Sequence, residues 1–254
     1  MPTANLDPFA QTPYRCRFDW GELAARQAAG RGDILVIVDV LRFSSAVVTA
    51  VQHGGVVYPC RTPAEAGRLA QESEAGELGI TSGSLSPAAY LDARPGSRYA
   101  LGSLNGAACT LAGRSASYLF AGGLLNAQAL AQVIAGLLEA SHLAVTVIAC
   151  GERWRVERPG PQGDGLRPAV EDYLGAGAIL SHLPGELSPE AQVCRSAFLA
   201  VHAELETILW ECASGREIRL KGLPEDVRHA ARLDSYQAVP VFREGRFAGW
   251  GVDP

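Results

Sequence analysis

The segment VDVLRFSSAV, residues 38–47, gathers Asp39, Arg42, Ser44 and Ser45 within seven positions. A carboxylate is a hard oxygen ligand for Mg²⁺, which usually keeps waters and takes one or two protein carboxylates plus substrate phosphate oxygens. A guanidinium grips phosphate with a two-pronged fork. The serines fall where a helix opens, so they are expected to cap it and to present its free amides and positive dipole end to an anion. Further along the chain, Ser103, Asn105, Gly106 and Asn126 repeat the pattern of a polar turn before a helix, and Glu171 with Asp172 adds two more carboxylates. Together these residues have the chemistry of phosphoryl transfer. Asp39, Arg42, Asn105, Glu171 and Asp172 are the candidate catalytic residues. Ser44, Ser45, Ser103, Gly106 and Asn126 are candidates for substrate binding, and Asp39, Glu171 and Asp172 for holding Mg²⁺.

Each piece has a plain structural alternative. Asp39 and Arg42 can pair with each other at a strand end. Asn105 and Asn126 can serve only as helix caps. Glu171 and Asp172 fit the acidic first turn that complements a helix dipole.

The elements that must position these residues alternate through the first two thirds of the chain. ILVIVDVL, residues 34–41, is an apolar run of the kind found in an interior strand, with a helix expected from Ser44 to His53 and a stop at Gly54 and Gly55. VVYPC is the next strand, and Thr62, Pro63 and Glu65 form a capping box for a helix reaching Ser73. RYALGS, YLFAGG and LAVTVIAC supply three more strands, each followed by a polar turn. The Arg- and Gly-rich stretch of residues 152–168 reads as a flap beside the site. A helix is expected over residues 169–182, and a longer one from Ser188 to Ala213. A short helix after Pro224 and a hairpin, AVPVF-REGR-FAGW, complete the chain. The expected fold is a layered α/β/α unit spanning residues 1–254, possible as two closely packed subdomains, with a mostly parallel or mixed sheet edged by that hairpin. Parallel strands would then set Asp39, Arg42, Ser103, Asn105, Asn126 and the Glu171–Asp172 turn around one crevice at the strand exits.

Composition narrows the alternatives. The 254 residues carry a net charge of −5, 48% hydrophobic and 19% charged residues, with no basic run, which argues against nucleic-acid binding. Six scattered cysteines show neither zinc-ligand nor CxxC spacing, and the five histidines show no metal spacing. The N-terminus lacks a basic and apolar leader, and no apolar run is long enough to span a membrane, so a cytoplasmic protein is expected. Self-association into a homo-oligomer is the default for a globular enzyme. Neither a G-x-x-x-x-G-K-[ST] loop nor a G-x-G-x-x-G fingerprint is present. Asp39 is not followed by a second Asp two residues on, and Cys150 has Val156 rather than Arg at the Cys-x5-Arg spacing.

With those residues in hand, the chain resembles the 2-phosphosulfolactate phosphatase family, the magnesium-dependent hydrolases of coenzyme M biosynthesis. VDVLRFSSAV is similar to the family's D-V-L-R-A-[ST]-[ST], with Phe43 in place of a small residue. SLSP at 84–87 stands at its N-S-P, SLNGA at 103–107 at its T-T-N-G-T, LLNAQALA at 124–131 at its L-N-A-x-A-x-A, and VEDYLGAGA at 170–178 at its E-D-x-x-x-A-G. The GELGI segment lacks the arginine of the family's G-E-R-G-G. The resemblance implies a Mg²⁺-dependent phosphatase of a small anionic phosphate monoester, with 2-phospho-3-sulfolactate the first candidate. Arg153, Arg155 and Arg158 of the flap are candidates for a second anionic group. The altered loops leave two alternatives: a noncatalytic anion-binding or regulatory protein on the same scaffold, and a phosphatase for a different phosphorylated acid.

Overall fold

A computed structural model describes residues 7–74, 79–154 and 165–251. The chain runs through β1 (Cys16–Trp20), α1 (Gly21–Gly30), β2 (Ile34–Val38), α2 (Phe43–Gln52), β3 (Val56–Cys60), α3 (Pro63–Glu74), β4 (Ile80–Ser82), β5 (Arg98–Gly102), α4 (Gly106–Ala112) and β6 (Tyr118–Ala121). It continues with α5 (Ala127–Ala140), β7 (Val145–Ala149), the two-residue strands β8 (Glu152–Arg153) and β9 (Leu166–Arg167), α6 (Val170–His182), α7 (Pro189–Val201), α8 (Leu205–Glu211), α9 (Ala213–Leu220), α10 (Pro224–Ala230) and the hairpin β10 (Pro240–Arg243) and β11 (Arg246–Gly249).

Why β2 and β7 are interior strands follows from their side chains. Both are buried at every position and pair in parallel from Ile34↔Val145 to Val38↔Ala149. Alternate residues of β2 feed two different cores, as a strand with two covered faces requires. Ile34, Val36 and Val38 pack with α5, α6 and α7 through Leu130, Ile134, Ile179 and Phe198. Leu35 and Ile37 pack with α1, α2 and α4 through Ala25, Val47 and Ala107. The result is the layered α/β/α arrangement.

The sheet order is β1-β7-β2-β6-β10-β11-β3-β5-β4. The hairpin therefore does not edge the sheet. It is wedged between two parallel halves, joined antiparallel to β6 through Val241↔Phe120 and to β3 through Phe247↔Val57. The wedge fits because Phe247 and Val241 are buried apolar residues on each strand of the hairpin, which an edge position would leave half wet. The twist of about 20–25° per neighbouring pair accumulates across five steps from β2 to β5, so opposite senses on the ladder do not put their exits at opposite ends of the molecule.

Other expectations are corrected locally. The strand expected to reach Leu41 stops at Val38, because the amide of Val40 turns aside to a carboxylate of α6. The helix expected from Ser188 to Ala213 breaks into α7, a 3-10 turn at His202–Glu204, and α8, and Cys212 then opens α9 by accepting the Gly215 N–H at its sulfur. β1 and α1 were not legible from the sequence pattern. Most of the 152–168 flap lies outside the described residues; its two ends pair as β8 and β9.

β1 is an edge strand whose outer hydrogen-bonding groups are engaged. Cys16 bonds the backbone of Glu186 and Ser188. The Gln11 side-chain amide donates to the Phe18 carbonyl at 2.9 Å and accepts the Phe18 N–H at 3.3 Å, and Asp19 caps Trp20 N at 2.7 Å. Such engagement suppresses edge-to-edge pairing with another chain. Among the described residues, no helix is long and apolar enough to cross a membrane.

Candidate active site

Asp39 emerges one residue past β2 and is buried. Its Oδ1 accepts the Phe43 N–H at 3.1 Å, and its Oδ2 accepts the Gly106 N–H at 2.9 Å with the Ser103 hydroxyl at 3.5 Å. One carboxylate thus satisfies the opening amides of two helices, α2 and α4, that enter from opposite halves of the sheet. Burial is the largest influence on this carboxyl. Together with the charges of Glu152 and Glu171 it outweighs the two amide bonds and pushes the pKa up to about 7.

The serines after Asp39 are inside the helix rather than at its cap. Arg42 is the N-cap residue, and Asp39 supplies the capping oxygen in its place. Ser44 Oγ lies between the amide and the carbonyl of Asp39, at 3.0 and 2.9 Å, and Ser45 Oγ donates to the Val40 carbonyl at 2.7 Å. Both hydroxyls are buried and hold the turn.

Asp39 and Arg42 do not pair. Arg42 Nη1 donates instead to Asp226 Oδ2 of α10 at 2.6 Å, and the other oxygen of Asp226 accepts the hydroxyl of Ser86. The Leu41–Arg42 peptide bond is cis.

Asp172 is placed between loops. Its two oxygens accept the Val40 N–H at 2.8 Å and the Gly151 N–H at 2.9 Å, so it ties the exit of β2 to the exit of β7. Burial first, then the neighbouring Glu171 and Asp39, raises its carboxyl well above the usual carboxylate range. Glu171 is equally buried and accepts the Cys212 thiol at 3.5 Å.

Asn105 occupies the N-cap position of α4, but its side chain does not cap. It donates to Glu152 Oε2 at 3.0 Å, and Ser103 Oγ accepts the Asn105 and Gly106 amides at 3.3 and 3.1 Å. Asn126 is fully buried, with Oδ1 on the Gly123 amide at 3.1 Å and Nδ2 on the Ala238 carbonyl at 2.9 Å. It fastens the hairpin approach to the β6 turn and does not line the cavity beside Asp39.

That cavity, about 270 Å³, is lined by Asp39, Arg42, Ser103, Asn105 and Glu152 on the strand-exit side, and by Ser214, Glu217 and Lys221 of α9 and its end. Glu152, Asp226, Ser86, Glu217 and Lys221 were missed by sequence reasoning. Glu152 had a usable signal, since it is the first charged residue beyond the β7 exit. Its carboxyl is raised by burial and by Glu171 and Glu217, and lowered by the Asn105 hydrogen bond and the Arg167 charge. Arg153 bonds the Leu104 carbonyl at 3.3 Å and lines a neighbouring cavity that shares Leu104 and Asn105 with this one. Arg155 and Arg158 lie outside the described residues. Among the described residues, no three Asp, Glu, Cys or His side chains form a ready-made metal-ligand group.

The family model described as 2-phosphosulpholactate phosphatase matches residues 22–245. A protein of Carboxydothermus hydrogenoformans is 30% identical over 228 residues, covering 84% of this chain and 88% of its own length. One from Pseudothermotoga lettingae is 29% identical over 224 residues, covering 84% and 91%. One from Symbiobacterium thermophilum is 27% identical over 240 residues, covering 87% and 95%. All three bear the name "Probable 2-phosphosulfolactate phosphatase". The matched span contains β2, β6 and β7 with their exits, the Asp39 turn, Glu171, Asp172 and Asp226, and on that extent of agreement the chain belongs to the 2-phosphosulpholactate phosphatase family.

Proposed function

We propose that this protein is a Mg²⁺-dependent phosphatase that hydrolyses a small anionic phosphate monoester in the cavity between Asp39 and Arg42, with 2-phospho-3-sulfolactate as the first candidate substrate. The observation that carries the reading is the pairing of opposite charges in one small cavity: a buried carboxylate cluster on one side and a fixed guanidinium on the other.

The donor set suits Mg²⁺. Asp39, Glu152, Glu171 and Asp172 are hard oxygen donors, and the charge of Glu171 adds to burial in raising the carboxyls of Asp39, Glu152 and Asp172, an excess of negative charge that a divalent cation relieves. Asp39 and Glu152, which line the cavity, would hold the ion, and Glu171 adds its field from behind. Asp172 keeps the β2 and β7 exits in register rather than reaching the cavity. When bound, Mg²⁺ supplies charge neutralisation and orientation of phosphate oxygens.

Arg42, with Nη1 on Asp226, offers the rest of its fork to the transferring phosphoryl group, where electrostatic stabilisation contributes most of the catalysis. In hydrolysis a P–O bond forms to water as the ester P–O bond breaks, and the proton lost by water ends on the leaving alkoxide. The Asn105 amide orients Glu152 at the edge of this reaction.

The test is phosphate release from 2-phospho-3-sulfolactate and a panel of 2-phosphorylated acids, with Mg²⁺ and with EDTA. EDTA-sensitive release is the expected result. Release from another acid alone changes the substrate. Thermal stabilisation by these acids without any release would replace the phosphatase reading with a noncatalytic binding role.

A further inference from the structure

A second cavity, of about 530 Å³, opens beside the edge strand β1 and shares no lining residue with the cavity at Asp39. Three of its aromatic residues pack as one wall. Trp20 and Tyr173 stack with centroids 5.7 Å apart, and Phe18 meets both edge-on at 5.5 and 5.2 Å. Phe9 adds a fourth ring, which is 81% exposed.

The charged groups described at this cavity are of one sign. Asp19 and Glu190 line it, and among the described residues no Lys, Arg or His does. The charge of Glu190 reaches Asp19 and, with burial as the larger cause, raises its carboxyl. Arg31 lowers it, but the guanidinium of Arg31 is itself bonded to Asp33 at 3.0 and 3.2 Å. Among the described residues, the Asp19 carboxylate accepts a hydrogen bond from the neighbouring amide of Trp20.

Ring faces carry negative quadrupole potential and attract cations, and carboxylates add to it. Neutral apolar ligands would use the rings and ignore the carboxylates, and anions would be repelled by both. We propose that the Phe18–Trp20–Tyr173 cavity is a binding site for an organic ammonium ion with an apolar body, the rings of Trp20 and Tyr173 covering the body and Asp19 and Glu190 facing the charge. Its volume is that of a small-molecule site. The site is independent of the phosphatase reading, since it uses none of the residues of that cavity.

The test is calorimetric or ligand-observed NMR titration of the full chain with benzylamine, benzyl alcohol and benzoate at neutral pH. Benzylamine, a cation at this pH, is expected to bind saturably and about two- to thirtyfold more tightly than its neutral isostere, the span of cation–π increments. Benzoate is expected not to bind. Glu190→Gln, at an exposed helix-start position, and Asp19→Asn, which keeps the Oδ1 acceptor for Trp20, are each expected to weaken benzylamine about two- to fivefold and leave benzyl alcohol unchanged. Equal affinity for benzylamine and benzyl alcohol, no saturable binding of benzylamine, or indifference to both substitutions would each overturn the proposal.

Discussion

Arg42 and Asp226 stand 184 residues apart in sequence and 2.6 Å apart in the fold. Asp226 is almost fully buried on α10, and its second oxygen takes the hydroxyl of Ser86, so one carboxylate joins the β2 turn, the 84–87 loop and the C-terminal helices. That ion pair holds the Arg42 guanidinium where it lines the cavity. Asp226 is therefore a positioning residue. Asp226→Asn keeps the size and loses the charge, leaving Arg42 partly buried without its counter-ion. The expected cost is about 1–3 kcal/mol of stability, read by urea unfolding. On activity the expected effect is a fall in kcat of about 100-fold, the scale of an ångström's misplacement, with KM changed less. Unchanged kcat in a folded variant would remove Asp226 from this role.

Gly106 shows why the chain needs no side chain at the start of α4. A Cβ there would lie 2.3 Å from Phe43 Cδ1 and 2.6 Å from its Cγ, and Phe43 is fully buried. The close approach lets the Gly106 amide reach Asp39. Gly106→Ala must displace either the ring or the helix start, at about 1–3 kcal/mol, the usual range for overpacking. A matched loss of activity follows if the amide is pulled from Asp39. A variant with wild-type Tm would show that α4 can slide freely, contrary to this packing.

How much of this was legible in the sequence depends on the range of each interaction. β2, the Asp39 turn and the first turn of α6 were legible because apolar runs and polar exits are local signals. The roles were less so. The sequence offers Ser44, Ser45 and Asn105 as caps, yet the capping oxygens belong to Asp39 and Ser103, while the Ser44 and Ser45 hydroxyls bond the backbone of Asp39 and Val40 and the Asn105 amide bonds Glu152. Asp226 sits in an acidic first turn of a short helix, a place where such residues are routine, and only the tertiary fold brings it to Arg42. The hairpin read correctly as a hairpin, but its insertion between the two halves rests on single bridges at Val241 and Phe247, which leave no pattern in the sequence.

Asp39→Asn separates the site's chemistry from its architecture. The amide keeps an oxygen for one helix start and removes a buried negative charge that helps to raise the carboxyl of Asp172. Stability is expected to hold or rise in EDTA, while phosphate release falls by about 100-fold or more. Mg²⁺ should raise the Tm of the wild-type protein, as any ligand specific to the native state does, and should raise it less in the variant. Equal Mg²⁺ shifts in both proteins would place the ion elsewhere.

His229 provides a pH dependence outside the cavity. Its ring is buried against Tyr236, with Nε2 3.0 Å from Thr49 Oγ1. Burial, then the charge of Arg232, holds its pKa below 6.5, with His53 in the same direction and Asp226 opposing. The folded protein thus takes up a proton at lower pH than the unfolded chain does. Between those two values the unfolded state binds more protons, so stability increases with pH there. The contribution of the neutral ring is complete above about 6.5 and is lost as pH falls through the lowered pKa. His229→Gln retains an amide for Thr49 and does not titrate. Unfolding free energies measured in urea at pH 7.5 and 5.5 should therefore fall more for the wild type than for the variant. If the two proteins lose the same stability on acidification, His229 is not the group responsible, and the acid sensitivity belongs to the other buried groups of the fold.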